Sequence, residues 1–371
     1  MKKISLMIMI GMMACGLLVT HATVKGEGGK DPRVQNAASM GQNAAPKVQD
    51  SVSMSHILSE ADLLSGEYDS VVDDTVVNVV AYFSKGDTCE YWISEGEWKV
   101  NGTDTVKTLG VSTQVRLVVN DSTPKGYKMS YTFLDVKADS VGDNFRDKMM
   151  AMVTERTAKS VIGTTVYFET DEYGRITKIT NLSQIKKQAK ALFKASMNDI
   201  AAMPVMQEMK KAIGLDFAKI GKQANIDQVV EGYLEELKLL FICHGSQYQV
   251  GEHHEHEDAT EDSYANDTYI NVEKELSGNY TISCDVISVI PKETVKELMG
   301  GLMSGFLKGD FKDEMDKQIN QDAQMKESLT VTCFEDGWPE SVLKQNENVM
   351  GGQGKLKQKL IEASRFAQRE Q

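Results

Sequence analysis

The sequence predicts an α+β protein of two tandem related units, each a curved antiparallel β-sheet with packed helices. The strand-like segment Tyr127–Val136 has a counterpart in Tyr280–Val289. An apolar stripe at helical spacing follows each segment, and a hairpin with a polar turn follows each stripe. Because internal repeats decide the architecture of a chain, this shared order of elements indicates a duplication.

Residues 1–22 are predicted to be a signal peptide. Met1, Lys2 and Lys3 give the positively charged start, and an apolar run from Ile4 to Val19 follows. The run is short for a membrane span of about 20 residues. We therefore expect export to the periplasm, the outer envelope or the exterior. A lipid anchor at Cys15 is kept as an alternative.

Residues 23–66 are predicted to be a flexible tether. Up to about Asp50 the tether consists mainly of Gly, Ala, Gln, Asn and Lys and has almost no bulky apolar residue. Such a composition cannot bury a core. A short helix over Met54–Leu64 is left open within this segment.

The first β-rich unit is predicted over residues 67–204. Its first strand covers Thr75–Phe83, where β-branched residues are nearly continuous. Two short strands are expected around Ser94–Glu97, and a further strand over Val111–Val119 alternates apolar and polar residues.

A hairpin and a helix are predicted to close the first unit. The hairpin covers Thr165–Ile179 and turns at Asp171–Gly174. Ser183 is expected to cap the helix and Pro204 to end it. The helix has one apolar stripe, formed by Ile185, Ala189, Leu192, Ser196, Ile200 and Met203.

Residues 205–238 are predicted to form a helical bridge to the second β-rich unit, residues 239–371. The apolar run Leu239–Cys243 is expected to be its opening strand. A hairpin that turns at Asp336–Pro339 lies late in the unit. A C-terminal helix from Lys355 to about Gln368 is expected to mirror the helix after Ser183.

The charge and the cysteines limit the partners. The formal net charge is -13 at pH 7, and an acidic chain repels nucleic acid and anionic surfaces, although a local basic patch is compatible with it. Four cysteines remain after removal of the signal peptide, which permits disulfides in an exported protein. Cys284 and Cys333 are the candidate pair, and buried free thiols are the alternative.

His253, His254 and His256 form a candidate metal site. They lie in the run Glu252–Asp258, where imidazole and carboxylate groups of the type that binds zinc or copper are concentrated. In an extended strand only His254 and His256 share a face. A solvated acidic loop is the favoured interpretation, so any metal binding is expected to be weak.

Methionine-bearing stripes are the candidate lining of a pocket for an apolar ligand. The side chains concerned are Met149, Met150, Val153, Leu302, Met303 and Phe306. Methionine is flexible and polarizable and is common on adaptable apolar surfaces. Ordinary packing of helices on the sheets is the alternative.

Catalytic and cofactor motifs are missing from the sequence. It has no Gly-x-Ser-x-Gly, no phosphate-binding loop and no Cys-x-x-Cys. We therefore expect no cofactor and a non-catalytic protein that binds an apolar or glycan ligand. A structural protein with an envelope partner and a hydrolase with an unrecognised site are the alternatives.

The pattern Phe241-x-x-His244-Gly245, then Gly251-Glu252 and the late turn Asp336-Gly337-Trp338-Pro339, resembles two-repeat secreted or envelope proteins of Gram-negative anaerobes. The resemblance covers most of the mature chain and implies no particular chemistry. By element order alone, the chain is also similar to envelope carriers of the lipoprotein-carrier type, which implies a curved antiparallel sheet wrapped on a helix.

Overall fold

The computed structural model describes residues 75–139, 145–213, 225–259, 264–295 and 321–364. The predicted signal peptide and tether lie outside these residues, as do Leu302, Met303 and Phe306 of the predicted pocket. The described part contains thirteen strands and four long helices. The strands are β1 (Val76–Asn78), β2 (Thr88–Asn101), β3 (Asp104–Thr123), β4 (Gly126–Asp139), β5 (Thr165–Thr170), β6 (Ile176–Ile179), β7 (Gln247–Gln249), β8 (Gly251–Glu257), β9 (Asn266–Lys274), β10 (Tyr280–Ile290), β11 (Ala323–Cys333), β12 (Pro339–Met350) and β13 (Gln353–Ser364). The helices are α1 (Phe145–Lys159), α2 (Leu182–Ala202), α3 (Pro204–Ile213) and α4 (Ile226–Leu240).

Eleven strands form one curved antiparallel sheet in the order β6-β5-β4-β3-β2-β13-β12-β11-β10-β9-β8, and β1 pairs with β7. The α+β class is confirmed. Strands β2 to β6 of the first unit and β8 to β12 of the second follow one another in the same direction across the sheet. The two units share one continuous sheet, because β13 pairs with both β12 and β2.

The first two strands differ from the prediction. The region around Gly96 is one strand of 14 residues rather than two short ones, and the ring of Trp98 lies where a side chain at position 96 would be. In the predicted strand Thr75–Phe83, only Val76–Asn78 are paired as a strand. The next residues bond to turns instead: the Ala81 N–H donates to the Tyr173 carbonyl (3.1 Å), and the Tyr82 N–H donates to the Asp336 carbonyl (3.0 Å).

The predicted C-terminal helix is wrong over residues 355–364, which belong to strand β13. The helix was expected by analogy with the helix after Ser183. Leu356 and Leu360 are four residues apart, and this spacing fits one face of a strand as well as one face of a helix. Every residue of β13 is paired with a neighbouring strand. Tertiary pairing therefore overrides the helical pattern.

The helices follow the prediction with two corrections. The run Leu239–Cys243 is the end of α4 and the turn after it, not a strand, because a short, fully buried apolar run does not distinguish a helix from a strand. Helix α2 begins at Leu182, so Ser183 is not its cap. The preceding Asn181 instead bonds to β5, accepting from the Tyr167 N–H and donating to the Thr165 carbonyl, both at 2.9 Å.

The core lies between one face of the sheet and α4. We call the face that carries the buried side chains and α4 the inner face, and the opposite one the outer face. On the inner face Ile93, Ile361 and Val342 lie side by side on β2, β13 and β12 and are fully buried. Helix α4 packs on β12, α1 packs on β4, and α2 packs on both helices.

Candidate functional site

Helix α2 divides its apolar stripe between two separate clusters. Ile185 and Ala189, in its first half, belong to the main core. The second half belongs to a smaller cluster, which we call the methionine cluster. Its members are the buried Phe193, Met197, Ile200 and Met206 and the partly buried Met152, Val153, Ala201 and Met203. One helix therefore contributes to two apolar clusters.

Helix α1 has the same division. Ala158, near its C-terminal end, packs on the main core, whereas Met152 and Val153 pack in the methionine cluster. Of the predicted pocket residues, the structure therefore brings Val153 to an apolar cluster. Met149 and Met150 lie on α1 within one turn of Val153, and their side chains are outside what the structure describes. Sequence reasoning found the stripe on α1 and also singled out Met206, but it missed the contribution of Met197.

Ser196 places a polar atom against the methionine cluster. It lies on α2 between Phe193 and Met197 and is more than nine-tenths buried. Within the described residues its hydroxyl oxygen has no hydrogen-bond partner. Buried hydroxyl groups are nearly always bonded, and a helical Ser ordinarily bonds the carbonyl four residues before it. An unpaired hydroxyl at this position is the feature expected where a ligand or a water molecule supplies the partner.

The inner sheet face changes from apolar to charged along the strands. Two residues beyond Ile93 lies Glu95, and it is paired across the strands with Lys359. Two residues further, Glu97 lies beside Lys357 at 3.1 Å. Because residues two apart share a face, this charged part belongs to the same surface as the core.

Lys359 ties α4 to this charged part. Its Nζ donates to Glu236 Oε1 at 2.9 Å and to Glu235 Oε2 at 3.0 Å, and Glu95 Oε2 lies 4.0 Å away. Burial opposes the charged amine, but the carboxylates of Glu236, Glu95 and Glu235 outweigh it and raise the pKa of Lys359. Burial by itself would raise the pKa of Glu235, yet the adjacent Lys359 and Lys344 lower it. This network holds α4 on the sheet, and the pKa shifts keep Lys359 and Glu235 charged.

The predicted histidine site is brought together only in part. His254 and His256 lie on the outer face of the edge strand β8, and both bond to Asp267 Oδ1 on β9, at 3.0 and 2.9 Å. His253 points to the opposite face and bonds the Gln249 carbonyl. The prediction that His253, His254 and His256 together form one metal site is therefore wrong.

No three metal-binding side chains surround a common point anywhere in the described ranges. The hydrogen bond that His256 donates to the Asp267 carboxylate raises the pKa of His256. The run lies on strand β8 rather than in a loop, and its charged side chains are of the kind that keeps a sheet edge from pairing with another chain.

The predicted disulfide is not formed. Cys284 and Cys333 lie on adjacent strands, as expected, but Cys333 is opposite Tyr280 and Cys284 is opposite Leu329. An offset of four residues corresponds to about 13 Å along a strand, beyond the roughly 7 Å that a disulfide spans. All four described cysteines are free and buried, and burial raises the pKa of the Cys284 thiol to about 11. They act as apolar core residues.

None of the helices in the described ranges has the length and apolar character needed to cross a membrane. No family model and no curated protein matches the chain. A solved structure described as lipid-protein interactions in lipovitellin is similar over 78% of this chain and 26% of that one, with 8% identity and a TM-score of 0.34. The chain thus spans about a quarter of the length of that protein. At this TM-score the likeness carries no argument about function, and the family resemblance of the sequence stays a prediction.

Proposed function

We propose that the protein is an exported, non-catalytic binding protein that holds an apolar ligand at the methionine cluster, between its helices and the inner sheet face. The observation that carries the proposal is the division of α2 between two clusters. A helix that served only to cover the core would bury its whole stripe in that core. Here half of the stripe forms a second buried apolar cluster of its own.

The composition of the methionine cluster supports an adaptable binding site. Of the eight side chains in the methionine cluster, Met152, Met197, Met203 and Met206 are methionines. A thioether chain adjusts to different apolar shapes at little energetic cost. The unpaired hydroxyl of Ser196 gives the same surface one polar contact for orientation, and apolar sites with few polar groups are typical of small-molecule pockets. An apolar ligand is favoured over a glycan for this reason.

The experiment that tests the proposal is native mass spectrometry of the full chain purified from its own envelope, combined with binding of the neutral dye Nile red. We expect a retained ligand and dye binding. In the double variant Met197→Gln and Met206→Gln, dye affinity should fall about tenfold, because amides replace apolar contacts.

The double variant Met197→Leu and Met206→Leu conserves volume and should fold, which separates loss of binding from loss of structure. Val289→Gln, at an exposed apolar residue of β10 outside the cluster, serves as the control. If the wild-type chain retains no ligand and binds no dye, the proposal fails.

A role as a structural or interaction protein is the second candidate, and the outer face favours it. Leu356 is directly opposite Trp98, and Leu360 is directly opposite Leu343. All four side chains are partly exposed. An apolar stripe on the central strands is a contact surface for a partner. Chemical cross-linking in the native envelope, with Leu343→Lys and Leu356→Lys as the disrupting changes, tests this candidate independently of ligand binding.

A further inference from the structure

At three successive inner-face positions, charged side chains of β2 and β13 lie directly opposite each other. Glu95 is paired with Lys359, and Glu97 is paired with Lys357. At the third position Lys99 is paired with Lys355. The register between the two strands is regular throughout, so these side chains share one face. Two matched acid–base pairs are thus followed by a pair of like charges.

Lys99 and Lys355 have no acidic partner among the described residues. Both side chains are exposed, and neither takes part in an ion pair or a hydrogen bond there. Like charges directly opposite each other destabilise a sheet. An acid at position 99 would have continued the pattern of positions 95 and 97, so the pair of lysines is a local cost that the fold does not require.

The groups around this lysine pair are mostly neutral hydrogen-bond donors. Asn348 lies beside Lys355 in the same row, and Asn101 and Gln353 form the next row. The closest acids in the register are Glu97, in the preceding row and already paired with Lys357, and Asp104, opposite Asn101 on β3. In a chain with a formal net charge of -13, this patch is a local basic site at the end of the inner face. Its chemistry fits an anionic group with several acceptor oxygens.

We infer that the ligand is an anionic amphiphile, whose charged head group lies at Lys99 and Lys355 and whose apolar part lies against the helices. The inference rests on the proposed function, because the helices supply the apolar surface and strands β2 and β13 supply the lysine pair. The methionine cluster recognises the apolar part, and the lysine pair selects the head group. Salt weakens the second contribution and leaves the first intact, since the lysines are exposed and screened.

The test compares two probes with the same chain and different head groups, oleate and the neutral monoolein, on the full chain. Wild-type protein should bind oleate more tightly than monoolein at low salt. In the variant Lys99→Gln with Lys355→Gln, oleate affinity should fall about three- to tenfold, as for one or two screened charge contacts. Monoolein affinity should be unchanged. Lys107→Gln is the matched control, because Lys107 lies on the outer side above the Trp98 ring at 6.0 Å.

The outcomes separate this inference from the proposed function. If oleate and monoolein bind with equal affinity, or if the Lys99→Gln and Lys355→Gln changes leave oleate binding intact, the head-group inference is wrong and the apolar site stands. If neither probe binds, the proposed function itself fails. Inorganic phosphate is compared with sodium chloride at the same ionic strength on the wild-type protein. If phosphate displaces oleate beyond the screening that chloride causes, the lysines bind anions of any kind, which overturns selection of an amphiphile.

Discussion

His244 Nε2 lies 3.0 Å from the carbonyl oxygen of Gly337, which joins the turn after α4 to the tip of the β11–β12 hairpin. The ring is buried against Phe83 and Phe241. Its Nδ1 has no partner among the described residues. The contact links two turns that are far apart in the sequence, and it requires an imidazole that stays neutral inside an apolar environment.

Acid should therefore destabilise the protein through His244. Burial lowers its pKa to about 4 from an ordinary value of 6.5. Between pH 6.5 and 4 the unfolded chain binds a proton that the folded chain excludes, so stability falls as pH falls through this window. The loss approaches about 3 kcal/mol.

The slope of unfolding free energy against pH should be reduced by one proton in His244→Gln, which keeps a donor for the Gly337 carbonyl but does not titrate. An identical slope in the variant, together with an NMR titration of His244 near its ordinary pKa, would contradict the prediction.

Gly337→Ala should be more destabilising than an ordinary glycine substitution. Gly337 has a φ of 84°, and a Cβ there would lie 2.3 Å from the Val80 carbonyl oxygen. Gly86 has a similar φ of 91° with open space around it, so Gly86→Ala is the control for backbone strain alone. We expect a loss of about 1 kcal/mol for Gly86→Ala and about 3 kcal/mol for Gly337→Ala, measured by urea unfolding. Equal midpoints for the two variants would show that the Val80 contact is easily relieved.

Lys359→Met should weaken the contact between α4 and the sheet and lower the free energy of unfolding. The substitution leaves Glu236, which is largely buried, without its cation. Breaking a buried pair typically costs about 3–5 kcal/mol, and we expect about 2–3 kcal/mol because Glu235 and Glu95 are half exposed. The control Lys357→Met removes a more exposed pair and should cost less than about 1 kcal/mol. Adding Glu236→Gln to Lys359→Met should restore part of the loss; no recovery in this double-mutant cycle would place the cost elsewhere.

The histidines of β8 should not support the fold. Replacing His253, His254 and His256 together with Asn should shift the melting temperature by no more than about 2 °C, as for surface changes. Chelator should leave the wild-type melting curve unchanged, because the two outer histidines already bond to Asp267. A large fall in melting temperature on adding chelator would make this run a metal site after all.

The sequence predicted most strands and the two hairpins that turn at Asp171–Gly174 and Asp336–Pro339, because alternation and turn residues are local signals. It did not predict that β13 is a strand, since Leu356 and Leu360 fit both periods and only pairing with β2 decides between them. The candidate site was predicted through Val153 on α1. Lys359 and the Lys99–Lys355 pair were missed, because a lysine beside charged residues looks like solvated surface until the register places it on the inner face.

The pairing of β2 with β13 has a consequence for how the chain folds. Ser364 donates to the Glu90 carbonyl across a sequence separation of 274 residues. The middle of the sheet therefore closes only when β13 has paired with β2, and the entropy of closing a loop of this length is lost in that step. Until then β2 and β12 are unpaired inner edges, open to other chains. We therefore expect the newly made chain to be prone to aggregation until β13 has paired.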